Sequence, residues 1–370
     1  MPLPSNTVVA AKRLQSLDFM RGLVMILLAL ESCALYENLL KATEGNSLNV
    51  LVQQFYHHPW HGLRFWDLVQ PMFMFMAGVA MAYSLHKQRE QGMSWWDSFK
   101  KTLKRSGWLF FWGVLDYSVR PTGLSFELWD VLTQLSFTTL VTFFIFRWSN
   151  MAQVIFCIGI LLLTEALYRF THVQGFDQPF TDQHNFGNYM DTVLMNKINK
   201  DGWVAINCIP TSVHTIAGAM IGKLLLSTKN NKLQYMIGAS IACLALGFGL
   251  DFTGVTPIIK HTATSTFTLA SLGWALAGLS FCYWWIDLKN HHKNLQFFTI
   301  VGMNSLFIYL FFEIVGDRWF ENYFKVITNG LMQIIHVPEM TREIISSFCV
   351  FGVAWGLCYF LFKKKIFLRL

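Results

Sequence analysis

Apolar residues in this chain gather into runs of about 20, the length that crosses a bilayer as a helix. Ten such runs lie near 16–36, 64–85, 106–120, 128–147, 150–169, 210–228, 233–251, 264–286, 296–315 and 343–362. Together they predict an all-α, polytopic transmembrane bundle, with residues 1–370 forming one domain. The third run is the weakest, because it contains Asp116 and Arg120. The first starts near Ser16 without a small-residue cleavage site, so it reads as a retained helix. Between the fifth and sixth runs lies a long polar segment, 170–209, in which the stretch from Asn188 to Met195 has the pattern of a short interfacial helix.

Composition strengthens this reading. Hydrophobic residues make up 54% of the 370 residues and charged residues only 14%, against roughly 25% in a soluble domain. The net charge of +7 is not a nucleic-acid signal, because its distribution follows the spans. Lys12 and Arg13, the loop 86–105, Lys229 and Lys232, Lys289 and Lys293, and Lys363, Lys364, Lys365 and Arg369 fall on one side of a ten-span bundle. The positive-inside rule makes that side cytoplasmic, with both termini on it. The seven cysteines form no CxxC pair and no metal-ligand spacing, so neither a disulfide framework nor a metal is expected. No internal repeat is evident, which counts against inverted-repeat transporters.

Candidate chemistry concentrates on the opposite side. His57, His58 and His61 crowd one short loop just before the second run, and Asp67 follows at the start of that run. Histidine is the side chain suited to moving protons near neutral pH. Glu31 near the end of the first run belongs at the same end of a two-span hairpin. Either these groups converge on a site, or they are ordinary interfacial residues. Asp18 and Arg21 share a helix face, as an ion pair or with Arg21 as a phosphate contact. Lys100, Lys101, Lys104 and Arg105 are an orientation signal or a seat for a polyanion. His214 and Asn304 inside runs read as structural groups or as ligands.

The stretch Ser16-Leu17-Asp18-Phe19-Met20-Arg21-Gly22 resembles the S-x-D-x-x-R-G opening of the heparan-α-glucosaminide N-acetyltransferase family of transmembrane acyltransferases. His57-His58-Pro59-Trp60-His61-Gly62, followed by Asp67-Leu68-Val69-Gln70-Pro71, resembles its H-x-x-W-x-G…D-L-x-x-P. Looser agreement continues at Thr264–Phe267, Gly273–Leu276 and Gly302–Ser305 with Tyr309. The bacterial branch of the family is the nearest in pattern. Where relatives often carry Asn near the end of the first span this chain has Glu31-Ser32, and it lacks an Arg near Gln134. These departures bear on the acceptor more than on the chemistry.

The resemblance implies transfer of an acetyl group from cytoplasmic acetyl-CoA to the amine of a glucosamine-type sugar beyond a bacterial inner membrane, by a homodimer and without a metal. His57 matches the family's active-site histidine, with His58 adjacent. Asp67 or Glu31 would orient its ring, and Trp60, Asn304 and His58, in that order, are candidate oxyanion donors. Arg21, Lys100, Lys101, Lys104, Arg105 and Asn304 are the expected cofactor-binding residues. Two routes stay open: His57 as general base, or His57 as nucleophile through an acetyl-imidazole. An amino-sugar transporter is the rival reading.

Overall fold

The computed structural model describes residues 14–120 and 123–368. Lys12, Arg13 and Arg369 lie outside them. Helix α1 (Gln15–Ser32) is followed by α2 (Leu35–Ala42) and the single turn α3 (Asn49–Val52). The histidine loop then leads into α4 (Val69–Glu90) and α5 (Trp95–Ser118). A two-residue hairpin, β1 (Val119–Arg120) with β2 (Gly123–Leu124), is the only ladder among the described residues. The rest is helical: α6 (Val131–Ile145), α7 (Asn150–Phe170), α8 (Phe186–Met195), α9 (Cys208–Leu226), α10 (Lys232–Phe252), α11 (Ser265–Cys282), α12 (Gln296–Met303), α13 (Ser305–Phe311), α14 (Glu321–Ile334) and α15 (Glu339–Lys363). A short helix, α8, stands where one was expected in 170–209.

Every expected span falls on a helix, yet ten full crossings do not follow. Among the described residues six helices are long and apolar enough to cross a membrane, or up to eight if each of two bent pairs counts as one span. The first expected span breaks at Ala34, a left-handed residue at φ 55°, and α2 leaves α1 at 65°. The ninth breaks between α12 and α13, which meet at 72°. Helix α6 has only 15 residues. Helix α5 carries too many charges to qualify, and this corrects the basic stretch as well. Residues 86–105 are not a loop: Ser94 Oγ accepts the Asp97 amide at 3.1 Å and starts α5, so Lys100, Lys101, Lys104 and Arg105 are helical. Helix α14, in a stretch expected to be loop, has no buried residue.

The core forms where α4, α9 and α1 pack, with Phe75, Val79, Ile216 and Leu279 fully buried between elements. The approach of α4 to α9 depends on two glycines. A Cβ on Gly78 would stand 2.0 Å from the Thr215 carbonyl, and one on Gly218 2.0 Å from that of Phe75. Backbones this close explain the small residues of the 217–222 stretch.

Candidate active site

The histidine loop is shaped by one carboxylate. Asp67 closes a short 3-10 turn, Phe65–Leu68, by accepting the Arg64 amide at 2.8 Å while its own amide returns to the Arg64 carbonyl at 3.1 Å. The same oxygen, Oδ2, accepts the His58 amide at 3.2 Å. The other, Oδ1, lies 3.0 Å from His57 Nδ1. Asp67 is only 1% exposed, so a buried carboxylate is compensated by two backbone donors, with the His57 ring beside it. Nδ1 of His57 is thereby occupied, and Nε2 is left for the cavity that the ring lines.

A second loop, 253–264, is stitched to the first. The Gly62 amide donates to the Ile258 carbonyl at 2.9 Å, and His61 Nε2 lies 2.7 Å from Asp251 Oδ1. Thr264 caps α11 and folds the loop back, accepting the Ile259 amide at 3.1 Å and donating to the Pro257 carbonyl at 2.8 Å. This delivers Lys260 to the site. Its Nζ stands 2.9 Å from His57 Nδ1, 3.7 Å from Asp67 Oδ1 and 5.2 Å above the Trp203 ring. Desolvation pushes the Lys260 ammonium down to about 8, against the pull of Asp67 and Glu31. Desolvation and then the Lys260 charge lower His57, against Asp67, which favours the neutral imidazole. His261 is pushed down to about 4 by burial, then by Lys260 and His57.

A cavity of about 730 Å³ runs from this site through the bundle. Glu31, His57, Trp203 and Lys260 line one end, and Asp18, Arg21, Ser84 and Arg105 the other. Asp18 and Glu31 are both on α1, so at 1.5 Å per residue the ends are about 20 Å apart. Gln70, hydrogen-bonded to Gln134, also lines the cavity, as do Asp130 and Tyr309, joined at 2.7 Å. A second cavity, of about 690 Å³, adjoins the far end. It shares Ser84, Arg105 and Leu368 with the first and adds Lys87, Lys101, Lys104 and Trp108.

His57, Asp67 and Glu31 are thus brought together, as the sequence suggested. Other expectations need correction. The Trp60 indole N–H is not aimed at a reaction centre: it donates to the Phe180 carbonyl at 2.7 Å, while its ring stacks on His261 at 5.2 Å. His58 does not line the main cavity; its ring lies over Gly62, where a Cβ would come within 2.5 Å of it and where φ is 143°. Asn304 is fully buried at the α12–α13 break, accepting the Leu368 amide at 3.3 Å. That break packs against the start of α1, where a Cβ on Gly302 would stand 2.7 Å from the Asp18 carbonyl. Asn304 therefore lies at the arginine end, away from His57, which removes it as an oxyanion donor. Arg21, Lys101, Lys104 and Arg105 line one or both cavities, but Lys100 is exposed and lines neither. His214 is internal, 2.9 Å from Ser271 Oγ.

Lys260 and Trp203 escaped the sequence reading. Trp203 meets the His57 ring edge-on at 5.7 Å and lies 4.5 Å from His261. Two residues on, the chain is anchored by Asp191, which accepts the Ala205 amide at 2.8 Å and the Trp129 indole N–H at 2.9 Å. The one available signal was a lysine next to a histidine in a loop, 253–264, that holds no other Lys or Arg.

Residues 13–223 match a family model described as a domain of unknown function, DUF5009. The chain is also similar to heparan-alpha-glucosaminide N-acetyltransferase from Homo sapiens, 26% identical over 198 residues, covering 51% of this chain and 28% of that protein. To the Mus musculus protein of the same name it is 22% identical over 436 aligned positions, 99% of this chain and 62% of the relative. The chain thus spans less than two thirds of the length of either.

Proposed function

The chain belongs to the DUF5009 family, and from that premise we propose that it is a membrane acetyltransferase, carrying an acetyl group from acetyl-CoA to the amine of a glucosamine-type sugar. The observation that carries this reading is the single cavity joining Arg21 and Arg105 at one end to His57 at the other. The basic second cavity suits the phosphates of CoA, and the long cavity suits its thin pantetheine arm. The sugar would meet the thioester beside His57 and Trp203, so it would never have to cross.

In this reading His57 Nε2 takes a proton from the amine as its nitrogen attacks the thioester carbonyl. Asp67 holds the ring and faces the imidazolium that forms. The thiolate of CoA then leaves and regains that proton. The acetyl-imidazole route uses the same atoms in two steps. The basic ends would face the cytoplasm of a bacterial inner membrane and His57 the far side. A homodimer of this one domain is carried over from the family resemblance.

Purified protein in detergent tests the proposal with acetyl-CoA and a panel of amino sugars. CoA release together with an N-acetylated sugar supports it. Movement of labelled sugar in sealed vesicles, with no turnover in detergent, establishes the transporter instead.

A further inference from the structure

The Nδ1 atom of His57 has one in-plane orbital but two close partners, Asp67 Oδ1 at 3.0 Å and Lys260 Nζ at 2.9 Å. Only one of them can hold a true hydrogen bond to it at a time. If Lys260 is an ammonium, its N–H points at Nδ1, which must then be a lone pair, and the ring proton sits on Nε2. If Lys260 is a neutral amine, Nδ1–H can turn to the carboxylate, and Nε2 carries the lone pair. The two states differ at the nitrogen that faces the cavity. A neutral imidazole is therefore not enough for a base here: it must also be the right tautomer.

We propose that Lys260 is a positioning residue that, by its own charge, selects which nitrogen of His57 is protonated, and so whether Nε2 can accept a proton. The consequence for turnover rests on the acetyltransferase reading; the tautomer itself does not. The cluster is small and closed. Lys260 is faced by Asp67 of the 3-10 turn, Glu31 of α1, His57 of the histidine loop and the Trp203 ring, with His261 next to it in its own loop. Beyond them stands His58, which acts on His261, and Arg64 and His61 act in turn on His58. Lys260 is 5% exposed, and desolvation brings its proton within reach of working pH. A bland alternative is a buried Lys–Asp ion pair that merely joins two loops. The two roles make opposite demands on the side chain. An ion pair tolerates Lys260→Arg and suffers from Lys260→Met. A selector fails with Lys260→Arg, which never loses its charge, and survives Lys260→Met, because Asp67 keeps the Arg64 and His58 amides and gains Nδ1–H.

The test uses the full chain in detergent, labelled with ¹⁵N-histidine, and a His57→Gln sample to assign the ring signals. At pH 7 His57 should carry its proton on Nε2 in wild type and in Lys260→Arg, and on Nδ1 in Lys260→Met. Acetyl transfer to one acceptor is then followed in parallel, so that the acceptor's own titration cancels in the ratio of wild type to Lys260→Met. That ratio should rise about tenfold from pH 7 to pH 9, as a group near pKa 8 loses its proton. Lys260→Arg should lose about 10²-fold or more, the scale of losing a general base, while melting and binding acetyl-CoA as wild type does. The same tautomer in wild type and Lys260→Met, or full activity in Lys260→Arg, overturns the inference. Should no variant, wild type included, transfer acetyl, the acetyltransferase reading falls and the ring signals still decide the role of Lys260.

Discussion

His61 reaches across 190 positions of sequence to hold Asp251, Nε2 to Oδ1 at 2.7 Å. This separates it from the other histidines of its loop. His61 ties the histidine loop to the end of α10, His58 covers Gly62, and His57 alone faces the cavity.

His57→Ala should therefore lower acetyl transfer by about 10²–10⁴-fold, the usual cost of removing a general base, with acetyl-CoA binding retained. His61→Ala should keep most of the activity, since a half-exposed pair contributes about 0–1 kcal/mol. His58→Ala should do the same. Initial rates with purified variants check all three, and a silent His57→Ala would remove the histidine loop from the chemistry.

The basic face of α5 divides at one residue. Replacing Lys101, Lys104 and Arg105 by Gln should raise KM for acetyl-CoA more than it lowers kcat, because contacts far from the reacting carbonyl supply uniform binding. Lys100→Gln should change neither. A KM that is equally unaffected in both variants would return the face to an orientation signal.

Ala77 and Ala80 line the cavity between its ends. Ala77→Phe should obstruct that stretch while leaving both termini of the cavity intact. Acetyl transfer should fall at least about tenfold, with binding of free CoA retained at the basic end. Calorimetric titration beside the rate measurement distinguishes this from misfolding, and an unimpeded rate would show that acetyl groups take another route.

His261 makes acid stability diagnostic. Its folded pKa is pushed down to about 4, whereas the unfolded value is about 6.5. Between these values the unfolded chain binds more protons, so stability rises with pH. The contribution is complete above about pH 6.5 and is lost as pH falls through about 4. Thermal melts should show Tm climbing across this window, with a shallower climb in His261→Gln. Equal slopes would mean that His261 titrates normally.

Much of this architecture is legible in the sequence, because long apolar runs leave the backbone few alternatives to helices. The pairing of His57 with Asp67 is legible too, being local and built on a 3-10 turn with its own cap. What escaped has a common cause. The break at Asn304 lies inside an unbroken apolar run, so hydropathy carries no trace of it. Lys260 and Trp203 reach His57 only after the chain has returned from 203 and 146 positions away, and no local pattern encodes such a return. The α5 start was hidden differently: its charges resembled a loop, and only the Ser94–Asp97 cap shows the helix.

The 72° bend between α12 and α13 also changes what kind of surface lines the interior. A straight helix turns only side chains toward its neighbours, because its amides and carbonyls are satisfied along its axis. A broken one releases main-chain groups, and at membrane depth these are tolerated only beside protein or water. Gly302, Met303 and Ser305 flank the break and line the cavity. Wherever such a group meets the passage, an amide-bearing chain lying against it exchanges hydrogen bonds with peptide rather than facing hydrocarbon.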